Sequence, residues 1–519
     1  MNKIKSTWIF RGAWSFAAGM TGIALMAAEP AATAGVVVDI AQEIGTVKLM
    51  HAVNNGPTVK KPGGDQKRGN FRDYKAARIP FARTHDAALC SGYGGAHVGD
   101  INALFPNFDA DEMDPKNYDF VFTDHYLDSI RRAGTEVFFR LGQSIEHGPK
   151  KYGVIPPKDY GKWARICENV VRHYNEGWGW NTDKEWTTKG IIWSNQFNIV
   201  YWEIWNEPDL DPSESEVRLP RNPRCWGGTV TNFFNLYETT AKHLKAKFPE
   251  LRIGGPALAQ DLTWGERFLS YCQSHKVPLD FFSWHIYATE PKRITKRAIL
   301  IRDMMNRYGF KKSESILNEW NYVKGWSDDW VYSLEVESGR FCQKGAAFIM
   351  AAMVDCQSAP VDMLMFYDAR INTDMNNMFA RPSYLPLKGY YPFYAWSKLI
   401  DYGTQVAVSI HEGRENEVCA NTGTVFKSMD GRPHGSFRAV AAKGTDGSGA
   451  VIIVRYSDDN NVTDVAKVTV SVLGVSLGNA RCHLTDSART YTEVSVDVQE
   501  DGSASIYMQP NSFVILEWR

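Results

Sequence analysis

Short apolar runs separated by stretches of helical periodicity recur between about residue 47 and residue 400 of this chain of 519 residues. Such alternation is typical of βα units that pair into a parallel sheet. Eight units of this kind close more naturally into a barrel than into an open sheet, so we predict an α/β fold with a (β/α)8 TIM barrel. The predicted strands are Val47–Val53, Ile79–Thr84, Glu136–Leu141, Ile199–Trp205, Leu251–Gly255, Leu279–Tyr287, Ser315–Asn321 and Val361–Tyr367.

The segments between these strands also carry helix and loop signals. Asp114 and Pro115 place a cap and a first-turn proline before a predicted helix at 117–133. Long loops rich in Gly, Pro, Asn and Asp follow two of the strands, at 84–115 and 210–229. In a barrel, loops after the strands build the substrate cleft, so these two loops are expected to shape it.

The pattern changes after the last predicted barrel helix, Tyr391–Ile400. Short alternating strands follow, separated by turn clusters such as Asp430-Gly431-Arg432-Pro433, which is typical of a β-sandwich. We therefore predict a barrel at residues 47–402 and an appended β-sandwich domain at 403–519. Residues 35–46 contain a valine-rich segment that is expected to add a strand to this second domain.

The N-terminus has the layout of an export signal. Lys3, Lys5 and Arg11 precede an apolar run from Trp14 to Ala28, and small residues follow as far as Ala34. This predicts a cleavable signal peptide at 1–34 and a secreted or periplasmic protein with no membrane span after cleavage. The alternative is a membrane anchor, for which the apolar run is short.

Charge and cysteine content narrow the possible partners. Lys plus Arg total 58 against 59 Asp plus Glu, with no long basic run, which argues against a nucleic-acid partner. The eight cysteines include no C-x-x-C pair, so neither a zinc site nor a redox motif is supported. We predict no metal, no cofactor and no particular disulfide, and no pattern indicates the oligomeric state.

Near the carboxyl ends of two predicted strands, a glutamate directly follows an asparagine. Glu207 follows Asn206 just after strand four, and Glu319 lies near the end of strand seven in a similar context. Side chains at the carboxyl ends of barrel strands face the active site, and paired carboxylates suit cleavage of glycosidic bonds. Asn206 is placed to hold a sugar 2-hydroxyl. Glu203 lies deeper on strand four, where a place in the barrel interior or a structural ion pair is the favoured interpretation.

These motifs resemble a known group of enzymes. Trp205-Asn206-Glu207-Pro208, together with Glu319, resembles clan A of the glycoside hydrolases. The segments His51–Pro57 and Ala82–Asp86 narrow the resemblance to family 39, which contains β-xylosidases and α-L-iduronidases. The resemblance covers about residues 35–519.

The resemblance implies roles for both glutamates. Glu207 would be the acid/base and Glu319 the nucleophile of a double displacement with retention. Family members commonly have Thr-Glu-Phe or a similar sequence at strand seven, where this chain has Asn318-Glu319-Trp320. That difference bears on the substrate, because residues beside the nucleophile shape the pocket.

Polar pairs on two other strands are further candidates for substrate binding. Arg83 and His85 alternate on strand two and point the same way, to line the sugar site or hold the charge of the nucleophile. The alternative for each is an ion pair with Asp86 or with an acidic residue of a loop. On strand six, His285 and Tyr287 share one face, and the clan uses this position to contact the nucleophile; a core histidine is the alternative for His285.

The end of strand eight gives the last candidates. Asp368 and Arg370 could contact substrate hydroxyls, or could equally form a structural salt bridge. A uronate substrate would need a cation in the pocket, and Arg83 and Arg370 are the candidates to supply it.

The sequence therefore predicts a secreted retaining glycosidase. The expected substrate is an oligosaccharide or glycoside, and a β-xylosidase-like exo-glycosidase is favoured. The alternatives are a non-catalytic carbohydrate-binding protein built on a glycosidase barrel and a transglycosylase. The presence of both carboxylates and of Asn206 argues against the first alternative, whereas the second would use the same residues.

Overall fold

The computed structural model describes most of the chain, in nine ranges. The predicted signal peptide, 1–34, lies outside them except for its last three residues, and the predicted turn at 430–433 lies outside them entirely. Within the described part of the chain, no helix is long and apolar enough to cross a lipid bilayer. The described ranges are 32–57, 69–86, 97–143, 152–179, 197–326, 330–371, 375–412, 418–420 and 436–519.

The first strand, β1 (Ala32–Thr46), belongs to a C-terminal sheet described below. The next eight strands pair in parallel in chain order, and β9 closes on β2. The predicted (β/α)8 barrel is thus confirmed. Its strands are β2 (Leu49–Asn54), β3 (Phe81–Arg83), β4 (Glu136–Leu141), β5 (Tyr201–Ile204), β6 (Arg252–Leu258), β7 (Phe281–Ala288), β8 (Glu314–Tyr322) and β9 (Met363–Phe366).

Helices fill the connections between these strands. The α-helices are α1 (Phe71–Ala76), α2 (Ile101–Leu104), α3 (Val121–Arg132), α4 (Tyr160–Glu176), α5 (Val230–Lys247), α6 (Leu262–Ser274), α7 (Pro291–Arg307), α8 (Trp330–Phe341), α9 (Gln343–Ser358) and α10 (Tyr391–Tyr402). Short 3-10 turns occur at Pro115–Asn117, Tyr152–Val154, Pro208–Leu210, Glu216–Arg218 and Lys388–Tyr390.

One predicted helix begins later than expected. The sequence placed its start at residue 117, whereas α3 begins at Val121. Asp114 does act as a cap, but its carboxylate accepts a hydrogen bond from the amide of Lys116 at 3.0 Å and caps the start of a separate 3-10 turn over Pro115–Asn117. Tyr118 then adopts an extended conformation, which separates the turn from the helix.

The remaining strands form a second, β-rich unit. It contains β10 (Thr404–Glu412), β11 (Val418–Ala420), β12 (Ser436–Lys443), β13 (Gly449–Tyr456), β14 (Ala466–Val472), β15 (Arg481–Thr485), β16 (Thr492–Val494), β17 (Asp497–Val498), β18 (Ala504–Met508) and β19 (Ser512–Trp518). β1 lies between β10, which it meets antiparallel, and β14, which it meets in parallel. Hydrogen bonds join these eleven strands into one sheet, so its division into the two layers of a sandwich stays a prediction.

Apolar side chains fill the amino end of the barrel and leave its other end polar. Phe81, Tyr201 and Ile316 belong to this inner cluster. Side chains two positions further along a strand point the same way, which brings the next layer of polar residues into the barrel. That layer consists of Arg83, Glu203 and Asn318, all with no measurable solvent exposure.

The C-terminal unit packs against the barrel near β8. Arg438 forms a buried ion pair with Asp355 of α9 at 2.8 Å. The Tyr322 hydroxyl, at the end of β8, donates to the Asp458 carboxylate at 2.6 Å. These contacts hold the strand that carries Glu319 from outside the barrel.

Candidate active site

The two glutamates predicted from strand ends lie side by side at the carboxyl end of the barrel. A carboxylate oxygen of Glu207, a carboxylate oxygen of Glu319 and a ring nitrogen of His285 all lie within 4.8 Å of one another. The Glu319 side chain is almost fully buried, and that of Glu207 is 12% exposed. The cluster therefore opens to solvent on the side of Glu207.

The backbone at the end of β5 turns sharply to present Glu207. Trp205 and Glu207 both adopt positive φ angles, 77° and 49°, in the left-handed region. The Glu207 amide donates to the carbonyl of Ala257 at 3.0 Å, which ties this turn to β6. The Asp209 carboxylate accepts three successive amides from residues 259–261 at 2.8 to 2.9 Å. The turn is therefore held on both sides of Glu207.

A register shift at the end of β8 brings Glu319 into the cleft. Trp284 of β7 pairs with Leu317, whereas the next residue, His285, pairs with Glu319. Asn318 is therefore the extra residue of a bulge, and such a bulge re-aims the side chains that follow it. Simple alternation would send Asn318 and Glu319 to opposite faces, but both contact residues inside the barrel.

Cationic and hydroxyl donors surround Glu319. Arg83 Nη1 donates to Oε1 at 2.8 Å, and His85 Nε2 lies 3.2 Å from the same oxygen. The Tyr287 hydroxyl donates to Oε2 at 2.9 Å, and His285 Nδ1 lies 3.5 Å from that atom. Burial opposes ionisation, but the interactions with His285, His85 and Arg83 outweigh it and hold the pKa of Glu319 well below its usual range.

Glu207 has much weaker support for a negative charge. His285 Nδ1 lies 2.8 Å from Oε1, and the Cys225 thiol lies 4.0 Å from Oε2. Burial raises the pKa of Glu207, and the negative charge of Glu319 raises it further, against the hydrogen bond from His285. The two carboxyl groups are thus pushed toward opposite ionisation states.

Arg83 links both catalytic strands. Its Nε donates to Glu203 at 2.7 Å, and its Nη2 donates to Asn206 Oδ1 at 2.7 Å. Nη1 also reaches Asn54 Oδ1 at 3.1 Å, in addition to Glu319. Glu203 is therefore a buried residue in an ion pair, which agrees with the structural role that the sequence favoured for it. The alternative partner, Asp86, is instead 3.3 Å from His85.

Asn206 presents an unused donor. Its Oδ1 accepts the bond from Arg83, whereas its Nδ2 is buried without a hydrogen-bond partner among the described residues. A buried amide donor without an acceptor destabilises the folded protein unless a ligand accepts its hydrogen bond. His285 Nε2 is likewise buried and without a partner among these residues. Both groups are therefore free to bind a polar substrate.

Asp368 and Arg370 form the salt bridge that the sequence left open. Arg370 Nε lies 3.4 Å from Asp368 and its Nη1 lies 3.2 Å from Asp86. Asn55 Nδ2 donates to Asp368 at 2.9 Å. Burial raises the pKa of Asp368 to about 7, although Arg370 acts in the opposite direction. Arg370 thus contacts Asp86, which is itself paired with His85, and neither Asp368 nor Arg370 bonds to Glu207 or Glu319 within the described structure.

Comparison with known proteins identifies the family. The model of "Glycosyl hydrolases family 39" matches residues 98–359, just over half of the chain. The protein belongs to glycosyl hydrolase family 39.

The curated relatives of this family 39 protein carry names that refer to two activities. The chain is 30% identical over 182 residues to a β-xylosidase from Caldicellulosiruptor saccharolyticus, covering 34% of this chain and 32% of the relative. It is 23% identical over 247 residues to an α-L-iduronidase from Canis lupus familiaris, covering 42% and 33%. The matched region thus spans about a third of the length of these relatives.

Solved structures share the fold of the family 39 protein over most of its length. A glucosidase from Croceicoccus marinus has a TM-score of 0.66 at 20% identity, covering 93% of this chain and 98% of the other. A monomeric β-xylosidase from Caulobacter crescentus has a TM-score of 0.60 at 14% identity, covering 93% and 99%. At these identities the likeness concerns the architecture.

Several residues of the family 39 site carried no sequence prediction. Asn318 Nδ2 donates to Glu203 at 2.5 Å, and Asn54 Nδ2 donates to the carbonyl of Asn318 at 2.7 Å. Cys225, from the long loop after β5, approaches Glu207. Asn54 and Asn318 each lie at a predicted strand end beside a residue already singled out, which is a signal that could have found them. Cys225 has no such signal.

One set of side chains has the spacing of a metal site. Among the described residues, Glu207, His285 and Glu319 are the group whose ligand atoms approach closely enough to hold an ion. Their approach has another cause, because His285 Nδ1 lies within 2.8 Å of Glu207 and 3.5 Å of Glu319. The position of His285 between the two carboxyl groups therefore accounts for the close approach without an ion.

Proposed function

We propose that this family 39 protein is a retaining O-glycosidase, with Glu207 as acid/base and Glu319 as nucleophile. The observation that carries the proposal is that two carboxyl groups with opposite pKa shifts have oxygens within 4.8 Å of each other. Retaining glycosidases hold their carboxyl groups roughly 5 to 5.5 Å apart, whereas inverting enzymes need about 6.5 to 9.5 Å for a water molecule. The spacing here supports direct attack by Glu319.

In the first step, the ionised Glu319 attacks the anomeric carbon as the bond to the leaving oxygen breaks. The protonated Glu207 gives its proton to that oxygen, so the leaving group departs as an alcohol. The product is a glycosyl ester on Glu319 and a Glu207 carboxylate. Burial and the negative charge of Glu319, which raise the pKa of Glu207, favour the protonated form that this step needs.

In the second step, Glu207 takes a proton from water, and the resulting hydroxide attacks the anomeric carbon from the side that the leaving group vacated. The ester bond to Glu319 breaks, and the sugar leaves with its original configuration. The free Nδ2 of Asn206 is suited to donate to the sugar 2-hydroxyl, a bond that tightens as positive charge develops on the ring.

The proposed substrate is a neutral glycoside. The proposed activity is that of a β-xylosidase-like exo-glycosidase, which removes a sugar from the end of its substrate. Two of the curated relatives are named β-xylosidases. Charge also supports a neutral sugar, since Arg83 is engaged by Glu203 and Glu319 and Arg370 by Asp86 and Asp368. A uronate carboxylate would have to compete with these partners for either arginine.

The proposed location is outside the cytoplasm, after cleavage of residues 1–34. The support is the sequence pattern of a basic N-terminus, an apolar run and small residues. Expression of the full chain, followed by N-terminal sequencing of protein from the periplasm or medium, tests this. A mature N-terminus near residue 35 is the expected result, and retention of Met1 in the cytoplasm would contradict it.

The chemical test replaces Glu319 by Ala. Turnover of an aryl glycoside should fall to background, because no carboxylate remains to attack the anomeric carbon. Azide should restore turnover and give a glycosyl azide of opposite anomeric configuration to the substrate. Glu314→Ala is the matched control, since Glu314 begins the same strand at the other end of the barrel and should leave catalysis intact.

The outcomes also separate the alternatives. Unchanged activity of Glu319→Ala would overturn the assignment of the nucleophile. A wild-type protein that binds oligosaccharide but cleaves none of the aryl xylosides, galactosides, arabinosides and uronides would be a carbohydrate-binding protein. Transfer products that dominate at high acceptor concentration would identify a transglycosylase.

A further inference from the structure

One tryptophan near the nucleophile is exposed. Trp326 lies in the loop after β8, and its side chain is 74% accessible to solvent. Its ring meets that of Tyr287 edge to face, with 5.3 Å between the ring centroids and 79° between the planes. The Tyr287 hydroxyl donates to Glu319 at 2.9 Å. A single side chain therefore separates the exposed indole from the proposed nucleophile.

This exposure sets Trp326 apart from most tryptophans in the barrel. Trp202, Trp205, Trp284 and Trp320 are all fully buried and pack the core. A large aromatic side chain left open to water gives up the stabilisation that burial would supply. A ring kept exposed beside a catalytic cleft is therefore suited to cover part of a ligand.

The direction of the substrate follows from what closes the cleft. The cleaved sugar must lie against Glu319, and its inner side is closed by Arg83, Asn54 and Asn318, which have no solvent exposure. The group linked to that sugar is therefore expected to extend away from these residues, toward the solvent-exposed rim. Trp326 lies at that rim, next to Tyr287.

We propose that Trp326 is a stacking platform for the sugar or aromatic group on the leaving side of the cleaved bond. The apolar C–H face of a sugar ring, or an aryl ring, packs on the flat indole. The inference rests on the proposed glycosidase function and adds a binding subsite for the leaving group. It predicts a preference for extended or aryl glycosides over glycosides with a small leaving group.

The platform acts only while the leaving group is attached. It stabilises binding and the first chemical step, which ends when the alcohol departs. It has no contact with the water that completes the second step. Removal of the indole should therefore lower kcat/KM for an extended substrate and leave kcat unchanged wherever hydrolysis of the glycosyl ester limits turnover.

The test compares xylotriose with methyl β-xyloside in wild type, Trp326→Ala and Trp326→Phe. For Trp326→Ala, kcat/KM for xylotriose should fall roughly three- to tenfold, the range of an aromatic stacking contact, and that for methyl β-xyloside should stay within about twofold. Trp326→Phe should retain most of the wild-type value. Trp330→Ala is the matched control, because Trp330 is a similarly exposed tryptophan, 71%, at the start of α8.

Each result bears on a different claim. Equal losses on both substrates, no loss on xylotriose, or the same loss in Trp330→Ala would overturn the platform. A wild-type protein that cleaves neither substrate would contradict the proposed xylosidase-like function itself. A folded Trp326→Ala variant with its loss confined to xylotriose would support both.

Discussion

The ends of β5 and β8 carry nearly the same short sequence but hold their glutamates in opposite surroundings. Each presents an Asn-Glu pair beside a tryptophan. Glu319 on β8 accepts hydrogen bonds from Arg83 and the Tyr287 hydroxyl and is paired with His85. Glu207 after β5 has His285 and a thiol at 4.0 Å, and it lies closer to solvent. A shared local motif therefore yields one ionised carboxylate and one carboxyl with a raised pKa.

The difference originates in strands other than the two that carry the glutamates. Arg83 is the last residue of β3, and His85 follows just after that strand. Both side chains form ion pairs with Glu319. Glu207 has the added negative charge of Glu319 nearby, which raises its pKa. The ionisation state of each carboxyl is thus a property of the closed barrel and not of its motif.

The test with the largest expected effect removes the proton that Glu207 donates to the leaving group. Glu207→Gln should lower kcat/KM by about 10²- to 10⁴-fold for glycosides with poor leaving groups, because no general acid remains. Substrates with activated leaving groups, such as dinitrophenyl glycosides, should lose much less in the first step. The alkaline limb of the kcat/KM profile should also disappear. An equal loss for all leaving groups would contradict the acid role of Glu207.

A second test changes the arginine that bonds to Glu319 but not to Glu207. Arg83→Lys keeps the charge but cannot bond to Glu203, Asn206 and Glu319 together. We expect turnover to fall by about 100-fold and the free energy of unfolding to drop by about 3 kcal/mol, as when a buried ion pair is broken. Rate measurements test the change in turnover, and urea denaturation tests the change in the free energy of unfolding. Unchanged rates would show that Arg83 does not support catalysis.

A third test removes one hydrogen bond from the nucleophile. Tyr287→Phe deletes the hydroxyl that donates to the ionised form of Glu319, so its pKa should rise. The acidic limb of kcat/KM should therefore move to higher pH, since Glu319 must be ionised to attack. At the optimum the loss should be about tenfold, as for a hydrogen bond to a charged group. A fixed acidic limb would show that Tyr287 does not support that charge.

The smallest effect concerns Asp368, a third buried carboxyl that resembles Glu207. Its pKa rises from 3.8 unfolded to about 7 in the folded protein, so the folded state binds the proton more tightly. The resulting stabilisation is present at low pH and is lost as pH rises from about 4 to about 7. Asp368→Asn cannot titrate, and its unfolding midpoint should decline less between pH 5 and 8 than that of wild type. Parallel declines would contradict the raised pKa.

The sequence predicted the barrel closely. The predicted strand Glu136–Leu141 matches β4 at both ends, and the other seven predicted strands overlap observed ones. Periodicity is a local property, so strand positions can be read without knowing their neighbours. The start of α3 was less accurate, because a cap and a proline also fit a single 3-10 turn.

The site, too, has features that the sequence predicted and features that it did not. The positions of Glu207 and Glu319 at strand ends followed from the sequence, as did the inward pairing of Arg83 with His85. The bulge at Asn318 did not, although it decides that Glu319 faces the cleft. A register shift depends on the strand alongside, and no pattern within β8 encodes it.

By itself, then, the sequence determined the eight-stranded barrel and the two strand ends that carry Glu207 and Glu319. Only the tertiary structure decided which carboxyl is ionised, that Arg83 joins Glu203, Asn206 and Glu319, and that Trp326 lies beside Tyr287. The physical reason is one of range. Apolar periodicity acts within a few residues of chain, whereas charge and hydrogen bonding act between side chains that barrel closure brings together from distant strands.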